Sequence, residues 1–214
     1  MYPMNIVAII PIKTNSERVP GKNFKLVNSK PLYRYMLEKA VVCKFDKVYV
    51  DTDSVEIMEY CSKHGIEVIT RLPDLAKNSA NGNDLLNYHA ELIEADLYFQ
   101  LFVTAPLLKV RSINACIDIL KNNKQYDSIL TVEQIYSWFW FDNKPVNYNP
   151  KVLPRSQDAQ PIIQETTGLY GIRKEILHLG RCRIGDNPYF YVVDNNESID
   201  LDNEGDFLKL ESML

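Results

Sequence analysis

The chain is poor in the residues that announce most familiar chemistries. It has four cysteines and three histidines in 214 residues. Cys43, Cys61, Cys116 and Cys182 are widely scattered with no Cys-x-x-Cys pair, a pattern that fits reduced thiols rather than a disulfide frame or a zinc site. His64, His89 and His178 show no ligand spacing and no adjacent nucleophile. They read as surface or helix-end histidines, so neither a Ser-His-Asp nor a Cys-His enzyme is indicated. Positive charge is in deficit: 24 basic against 28 acidic residues leave a net charge of −4, which argues against sequence-independent nucleic-acid binding. The apolar N-terminal run stops at Pro11 and has no basic flank. The run is short for a signal peptide or a membrane span, and the expectation is a soluble, cytoplasmic protein with no membrane partner. Neither a Walker spacing nor a Gly-x-Gly-x-x-Gly turn occurs.

What is present suits one well-buried α/β domain spanning 1–214, since 46% of residues are hydrophobic and 24% charged. Up to residue 130, apolar β-rich runs alternate with amphipathic segments. Strands are expected at Asn5 to Ile10, Lys47 to Val50, Glu67 to Thr70, Leu97 to Val103 and Ser128 to Val132. Helices are expected at Pro31 to Val42, Ser54 to His64, Asp84 to Glu94 and Ser112 to Asn122. Beyond residue 132 come an aromatic-rich stretch from 133 to 160 and strand-like runs at Gly168 to Ile172, Tyr189 to Val193 and Ser198 to Leu201. A helix follows from about Asn203. In a parallel sheet, ligands lie beyond the carboxyl ends of the strands, which gathers the loops at 12–30, 51–53, 71–83 and 104–109 on one rim.

Two clusters carry the chemistry. The first follows the N-terminal strand: Lys13, Arg18, Lys22 and Lys25 fall within thirteen residues that also contain Asn15, Ser16, Gly21 and Asn23. Ammonium groups and backbone N–H groups converging on one loop suit a polyphosphate. The second is Ser198-Ile199-Asp200-Leu201-Asp202. In an extended segment Asp200 and Asp202 share a face, and paired carboxylates suit a hard divalent cation such as Mg2+. Asp202 or Asn203 also suits a helix cap, with Glu204 and Asp206 favouring the helix dipole.

Pro11, Ser16, Pro20, Lys22 and Asn23 make the first loop resemble the N-terminal signature of the sugar cytidylyltransferases, above all their N-acylneuraminate branch. Lys13 replaces the usual Arg, keeping the charge without the bidentate fork, and Glu17 stands where a basic residue is common. Further landmarks follow in the family's order: Asp51-Thr52-Asp53, Arg71-Leu72-Pro73-Asp74-Leu75-Ala76, Thr104-Ala105-Pro106-Leu107, Arg155-Ser156-Gln157-Asp158, Gly168-Leu169-Tyr170 and Ser198-Ile199-Asp200-Leu201-Asp202. Phe102 and Thr167 depart from the pattern, replacing a Gln and an Asn of sialic acid enzymes.

The resemblance implies a mostly parallel sheet sandwiched by helices, the nucleotide-diphospho-sugar transferase-like fold, with 133–160 as a dimerisation arm. It implies a homodimer using CTP, Mg2+ and an acidic sugar. Lys22 and Lys13 would act on the phosphates, with Pro11, Asn15, Ser16, Asn23, Arg71, Asn78, Ser79 and Ala80 at the nucleotide. Phe102, Thr104, Arg155, Gln157 and Thr167 would meet the acceptor, and Asp200 and Asp202 the metal. Phe102 and Thr167 keep a second acceptor class open: octulosonate, phosphonate or polyol phosphate. Lys13 and Glu17 keep open a dimeric binding protein without turnover.

Overall fold

The computed structural model describes residues 3–77, 79–152 and 154–213. The chain opens with β1 (Ile6–Ile12), the short strands β2 (Leu26–Val27) and β3 (Lys30–Pro31), then α1 (Leu32–Val42), β4 (Lys47–Thr52), α2 (Val55–Lys63) and β5 (Glu67–Thr70). It continues through α3 (Pro73–Ala76), α4 (Gly82–Leu92), β6 (Leu97–Leu101), α5 (Val110–Asn122) and β7 (Ser128–Ile135). The last part holds β8 (Trp140–Phe141), β9 (Lys144–Pro145), β10 (Ile162–Arg173), α6 (Lys174–Gly180), β11 (Pro188–Val192) and α7 (Glu204–Met213). Seven strands form one sheet in the order β11-β7-β10-β6-β1-β4-β5. Only β10 runs against its neighbours, so the sheet is mostly parallel as expected.

Strand alternation divides the core into two layers. Ile6, Ala8, Ile10 and Ile12 of β1 face a cluster filled by Met36 and Leu37 of α1, Ile57 of α2, and Ile113 and Ile117 of α5. Val7 and Ile9 face the opposite cluster, with Leu86 of α4 and Leu177 of α6. Two-residue periodicity puts the two sets on opposite faces, and each fully buried aliphatic side chain contributes roughly 1.5–3 kcal/mol. β10 enters this frame at Gly171, where a Cβ would collide with Phe99 of β6 and Ile129 of β7. Glycine is what lets the antiparallel strand fit between them.

Several boundaries shift for local reasons. α4 begins at Gly82, two residues ahead of the expected Asp84. Asn81 caps it through a reciprocal capping box, its side chain accepting from Asn83 and Asp84 while Asp84 accepts from the Asn81 N–H. Ser54 caps α2, its Oγ accepting from the Ile57 N–H, and Gly65 turns the chain out at φ 69°. The segment Ser198 to Leu201 is not a strand. It is a turn followed by irregular chain, with the Leu201 N–H donating to Thr104 O at 2.9 Å. Asn203 does cap α7: its Oδ1 accepts from Asp206 N, and Asp206 Oδ2 accepts from the N–H groups of Asp202 and Asn203.

From 136 to 160 the chain leaves the sheet as a ribbon. β8 and β9 pair through a tight turn in which Asp142 and Asn143 both hold positive φ, 48° and 57°. Trp138 stacks on Tyr148 at 5.7 Å. Trp140 remains 57% exposed and Phe141 79%, so the aromatic run is not packed as a core of its own. Among the described residues no helix is long and apolar enough to cross a membrane.

Candidate functional site

The carboxyl ends of β1, β4 and β6 open on one edge of the sheet, and the first loop folds over that edge. Its shape is fixed from beneath. Buried Asn23 donates to Lys13 O at 2.8 Å, and Thr14 donates through both its backbone N–H and its hydroxyl to Asp53 at 2.8 Å. Gly21, at φ 65°, supplies the left-handed residue that turns Lys22 inward. Asp53 had been part of a landmark turn without a role, and the fold reveals it as the anchor of the loop.

A cavity of about 330 Å³ lies over this loop, lined by Pro11, Lys13, Asn15, Ser16, Glu17, Arg18, Lys22 and Asn23, by Phe102, Val103 and Thr104 after β6, and by Asp202. That size is within the range of small-molecule sites. The chain's two ends meet across it: Lys22 Nζ donates to Leu201 O at 2.8 Å and sits 3.6 Å from Asp202 Oδ1, while Arg18 Nη1 pairs with Asp202 Oδ2 at 2.5 Å. Lys25 turns away from the cavity, pairing with Glu204 and lying 4.8 Å over the Phe207 ring. A second hollow shares Lys13, Asn15, Ser16 and Glu17 and reaches Ala76 and Lys77, extending the site towards the residues that follow. Ala80 donates its N–H to Lys77 O at 3.2 Å and Ser79 is exposed, whereas Asn78 lies outside the described residues.

The two carboxylates expected to share a strand face are placed differently. Asp202 lines the cavity and faces two cations. Asp200 Oδ2 accepts from the Thr167 hydroxyl at 2.6 Å, while its Oδ1 is buried with no hydrogen-bond partner. Thr167 holds φ 53°, an uncommon conformation for a β-branched residue, at an irregularity in the β10–β7 pairing. Among the described residues no group of three or more histidine, cysteine or carboxylate side chains is placed to hold a metal by itself.

Arg71 lies beneath the rim rather than on the cavity wall. Its Nε and Nη2 grip the Asp51 carboxylate, each at 3.0 Å, and Asp51 Oδ2 also lies 2.9 Å from His89 Nε2. Burial pushes the Asp51 carboxyl up, but the His89 and Arg71 hydrogen bonds overcome it and hold the group below the usual carboxylate range. His89 does stand in the last turn of α4, at a helix end as expected, but it is fully buried as a partner of Asp51 and not on the surface. No spacing signals such a group, because the sheet assembles it from β4, the end of β5 and α4.

Arg155 and Gln157 sit on an exposed turn of the ribbon, where Arg155 pairs with Asp158 through Nε at 2.6 Å and Nη2 at 3.2 Å. They are not gathered at the cavity within this chain. Phe102 and Thr104 are. Arg183, which belongs to no motif, lies 3.5 Å from the Tyr170 ring centroid and 5.7 Å from that of Phe102.

Comparisons with known proteins meet this geometry. The sequence profile of a family described as "Cytidylyltransferase" matches residues 7–199. N-acylneuraminate cytidylyltransferase A of Danio rerio is 26% identical over 208 residues, 92% of this chain and 48% of that protein. The N-acylneuraminate cytidylyltransferase of Streptococcus agalactiae serotype V is 27% identical over 222 residues, 96% of this chain and 52% of that protein. The chain thus spans about half the length of these curated relatives. The 8-amino-3,8-dideoxy-manno-octulosonate cytidylyltransferase of Shewanella sp. strain ANA-3 is 31% identical over 121 residues, 56% of this chain and 49% of that protein. Among solved structures, a CMP:2-keto-3-deoxy-manno-octonic acid synthetase complexed with CTP superposes with a TM-score of 0.73 at 17% identity, covering 97% of each chain. The 4-diphosphocytidyl-2C-methyl-D-erythritol synthase of Anaerococcus prevotii gives 0.71 at 11% identity, covering 97% of this chain and 95% of that one. At these identities the superpositions show a shared fold.

Proposed function

Because this chain belongs to the cytidylyltransferase family, we propose that it transfers CMP from CTP to an acidic keto sugar of the nonulosonic type, releasing pyrophosphate. One observation carries the reading: a first loop whose Lys13, Arg18 and Lys22 line a cavity closed by Asp202. Three cations on one cavity wall, in a chain of net charge −4, suit a triphosphate.

The chemistry needs no protein nucleophile. The sugar's anomeric hydroxyl attacks the α-phosphorus and gives up its proton to water, the new O–P bond forms, and the bond to pyrophosphate breaks. Lys22 and Lys13 neutralise charge on the phosphates, and their contribution rises as negative charge builds on the leaving group. Pro11, Asn15, Ser16 and Asn23 shape the loop around the nucleotide, and Ser79, Ala80, Asn78 and Arg71 would serve base and ribose. Arg71 acts there by holding the rim through Asp51. Asp200 and Asp202 fit a divalent cation: Asp200 keeps a buried oxygen without a donor, and Asp202 reaches the same cavity as the phosphate-binding lysines. When bound, Mg2+ would supply further neutralisation of the phosphate oxygens. Exposed Arg18, paired with Asp202 in the unliganded chain, would then be available to a phosphate.

We also propose that the chain acts as one catalytic unit and that residues 133–160 pair with a second copy, which would cover Trp140 and Phe141. Arg155 and Gln157 would serve the acceptor across that dimer. Phe102 and Thr167 favour a second reading, cytidylyl transfer to an octulosonate, phosphonate or polyol phosphate, because the cavity wall is apolar where an amide would hold a polyhydroxylated sugar. The test is pyrophosphate release from CTP and Mg2+ with N-acetylneuraminate, legionaminate-like and pseudaminate-like acids, octulosonate and phosphonate. N-acetylneuraminate should be a poor acceptor, since a site lacking the required polar partners rejects its ligand strongly. No release with any acceptor would favour a binding protein without turnover.

A further inference from the structure

Beyond the Phe102 ring, the turn between α6 and β11 places Arg183 in an unusual setting. Its guanidinium carbon lies over Tyr170, at 3.5 Å from the ring centroid, and its Nη1 donates to Gln100 Oε1 at 3.3 Å. Gln100 is fully buried and in turn donates to Gly82 O at 3.1 Å. The Arg183 backbone N–H donates to Asn83 Oδ1 at 2.9 Å. At Gly82 an added Cβ would collide with Arg183 Nη1, so the start of α4 is fitted to this side chain. Arg183 is thus held from three sides in one orientation.

Its charge is nevertheless unanswered. Arg18, Arg34, Arg71, Arg111, Arg155 and Arg181 each pair with a carboxylate. Arg173 donates instead to the carbonyls of Leu120, Asn123 and Tyr126. Half-buried Arg183 has neither arrangement among the described residues. Glu165, on the same tyrosine, accepts from the Tyr170 hydroxyl at 2.6 Å. A planar fork with most of its donors unused, preset on an aromatic face, matches a carboxylate taken bidentately.

We propose that Arg183 binds the acceptor's carboxylate and so selects for acidic acceptors. This rests on the transfer reaction proposed above. Lys13, Arg18 and Lys22 line the cavity together with Phe102, whose ring centroid lies 5.7 Å from the Arg183 guanidinium, so an acceptor seated beside the phosphates comes near Arg183. Within this chain Arg155 pairs with Asp158 on an exposed turn away from the cavity, so it would meet the acceptor only across the dimer proposed above, whereas Arg183 is in place in the single chain.

The test uses the full chain with CTP, Mg2+ and whichever acid of the acceptor panel the wild type converts, compared with the methyl ester of that acid. Arg183→Gln should lower kcat/KM for the acid roughly a hundredfold, mostly through KM, as truncating one partner of a desolvated charge pair does. The same variant should leave the KM for CTP and the weak use of the ester unchanged, and Arg183→Lys should recover part of the loss. Equal losses for acid and ester would make Arg183 a structural residue and overturn the proposal, as would a raised KM for CTP. Unchanged kinetics in a wild type that releases pyrophosphate would remove Arg183 alone. A wild type inactive with every acid would remove the transfer reading and this proposal with it. Matching thermal melts of the variants exclude misfolding as the cause of any loss.

Discussion

The cavity rim and the aromatic ribbon are built on opposite terms. At the rim the polar groups are tied down: Lys22 to Leu201 and Asp202, Asp53 to Thr14, Arg71 to Asp51 and His89, and Arg183 to Gln100 and the Tyr170 ring. The ribbon leaves Trp140 and Phe141 largely in solvent, and its arginine pairs only with a neighbour three residues on. The phosphate site proposed at the rim is assembled from one chain alone. The ribbon leaves apolar surface uncovered within the chain, the surface that the proposed second copy would cover.

The largest expected effect lies under the rim. Arg71→Ala leaves the Asp51 carboxylate buried without its bidentate partner, so it should cost about 3–5 kcal/mol of stability in denaturant titrations at pH 7. The sign of its pH dependence follows from the lowered Asp51 pKa. A depressed carboxyl stabilises the fold fully above the unfolded value, about pH 4, and that contribution is lost as pH falls through the lower folded value. The gap between wild type and Arg71→Ala should therefore narrow below about pH 4. A gap independent of pH would detach the stability from this ion pair.

Next in size is the carboxylate pair. Asp202→Asn or Asp200→Asn should lower kcat on the order of 10²–10³-fold with limiting Mg2+, comparable to removing one preorganised stabilising group, while the melting temperature moves little. Full activity in both variants would separate the acidic segment from catalysis. In the ribbon, Trp140→Ser together with Phe141→Ser should convert a dimer to a monomer by light scattering at unchanged fold. A wild type already monomeric at working concentration would break the contrast at its ribbon end. The smallest effect is at Thr167. Asparagine tolerates left-handed backbone better than a β-branched residue, so Thr167→Asn should raise stability by about 1 kcal/mol in the same titrations.

How much of this was legible in the residues depended on how local the cause was. β1 declared itself by a continuous apolar run, and the first loop by four cations in thirteen residues. The expected strand Glu67 to Thr70 is β5 without change. β10 was read only as Gly168 to Ile172, because Thr167 interrupts its pattern and the pairing that extends it to Ile162 comes from distant β7. The site shows the same divide. Lys22, Asn15 and Asp202 could be found from composition and motif, since each sits in a short polar segment beside an apolar one. Asp53, His89 and Arg183 acquire partners only when the sheet brings residues 38 to 83 positions apart together, and no spacing along the chain records that.

The account rests most heavily on the rim as a triphosphate site, and calorimetric titration of CTP in the presence of Mg2+ tests it without needing the acceptor. Wild-type protein should bind CTP, and Lys22→Ala should weaken that binding about tenfold or more, as loss of a charge-assisted phosphate contact requires. Equal affinity in wild type and variant, or no binding of CTP by a folded wild type, would contradict the assignment of the first loop.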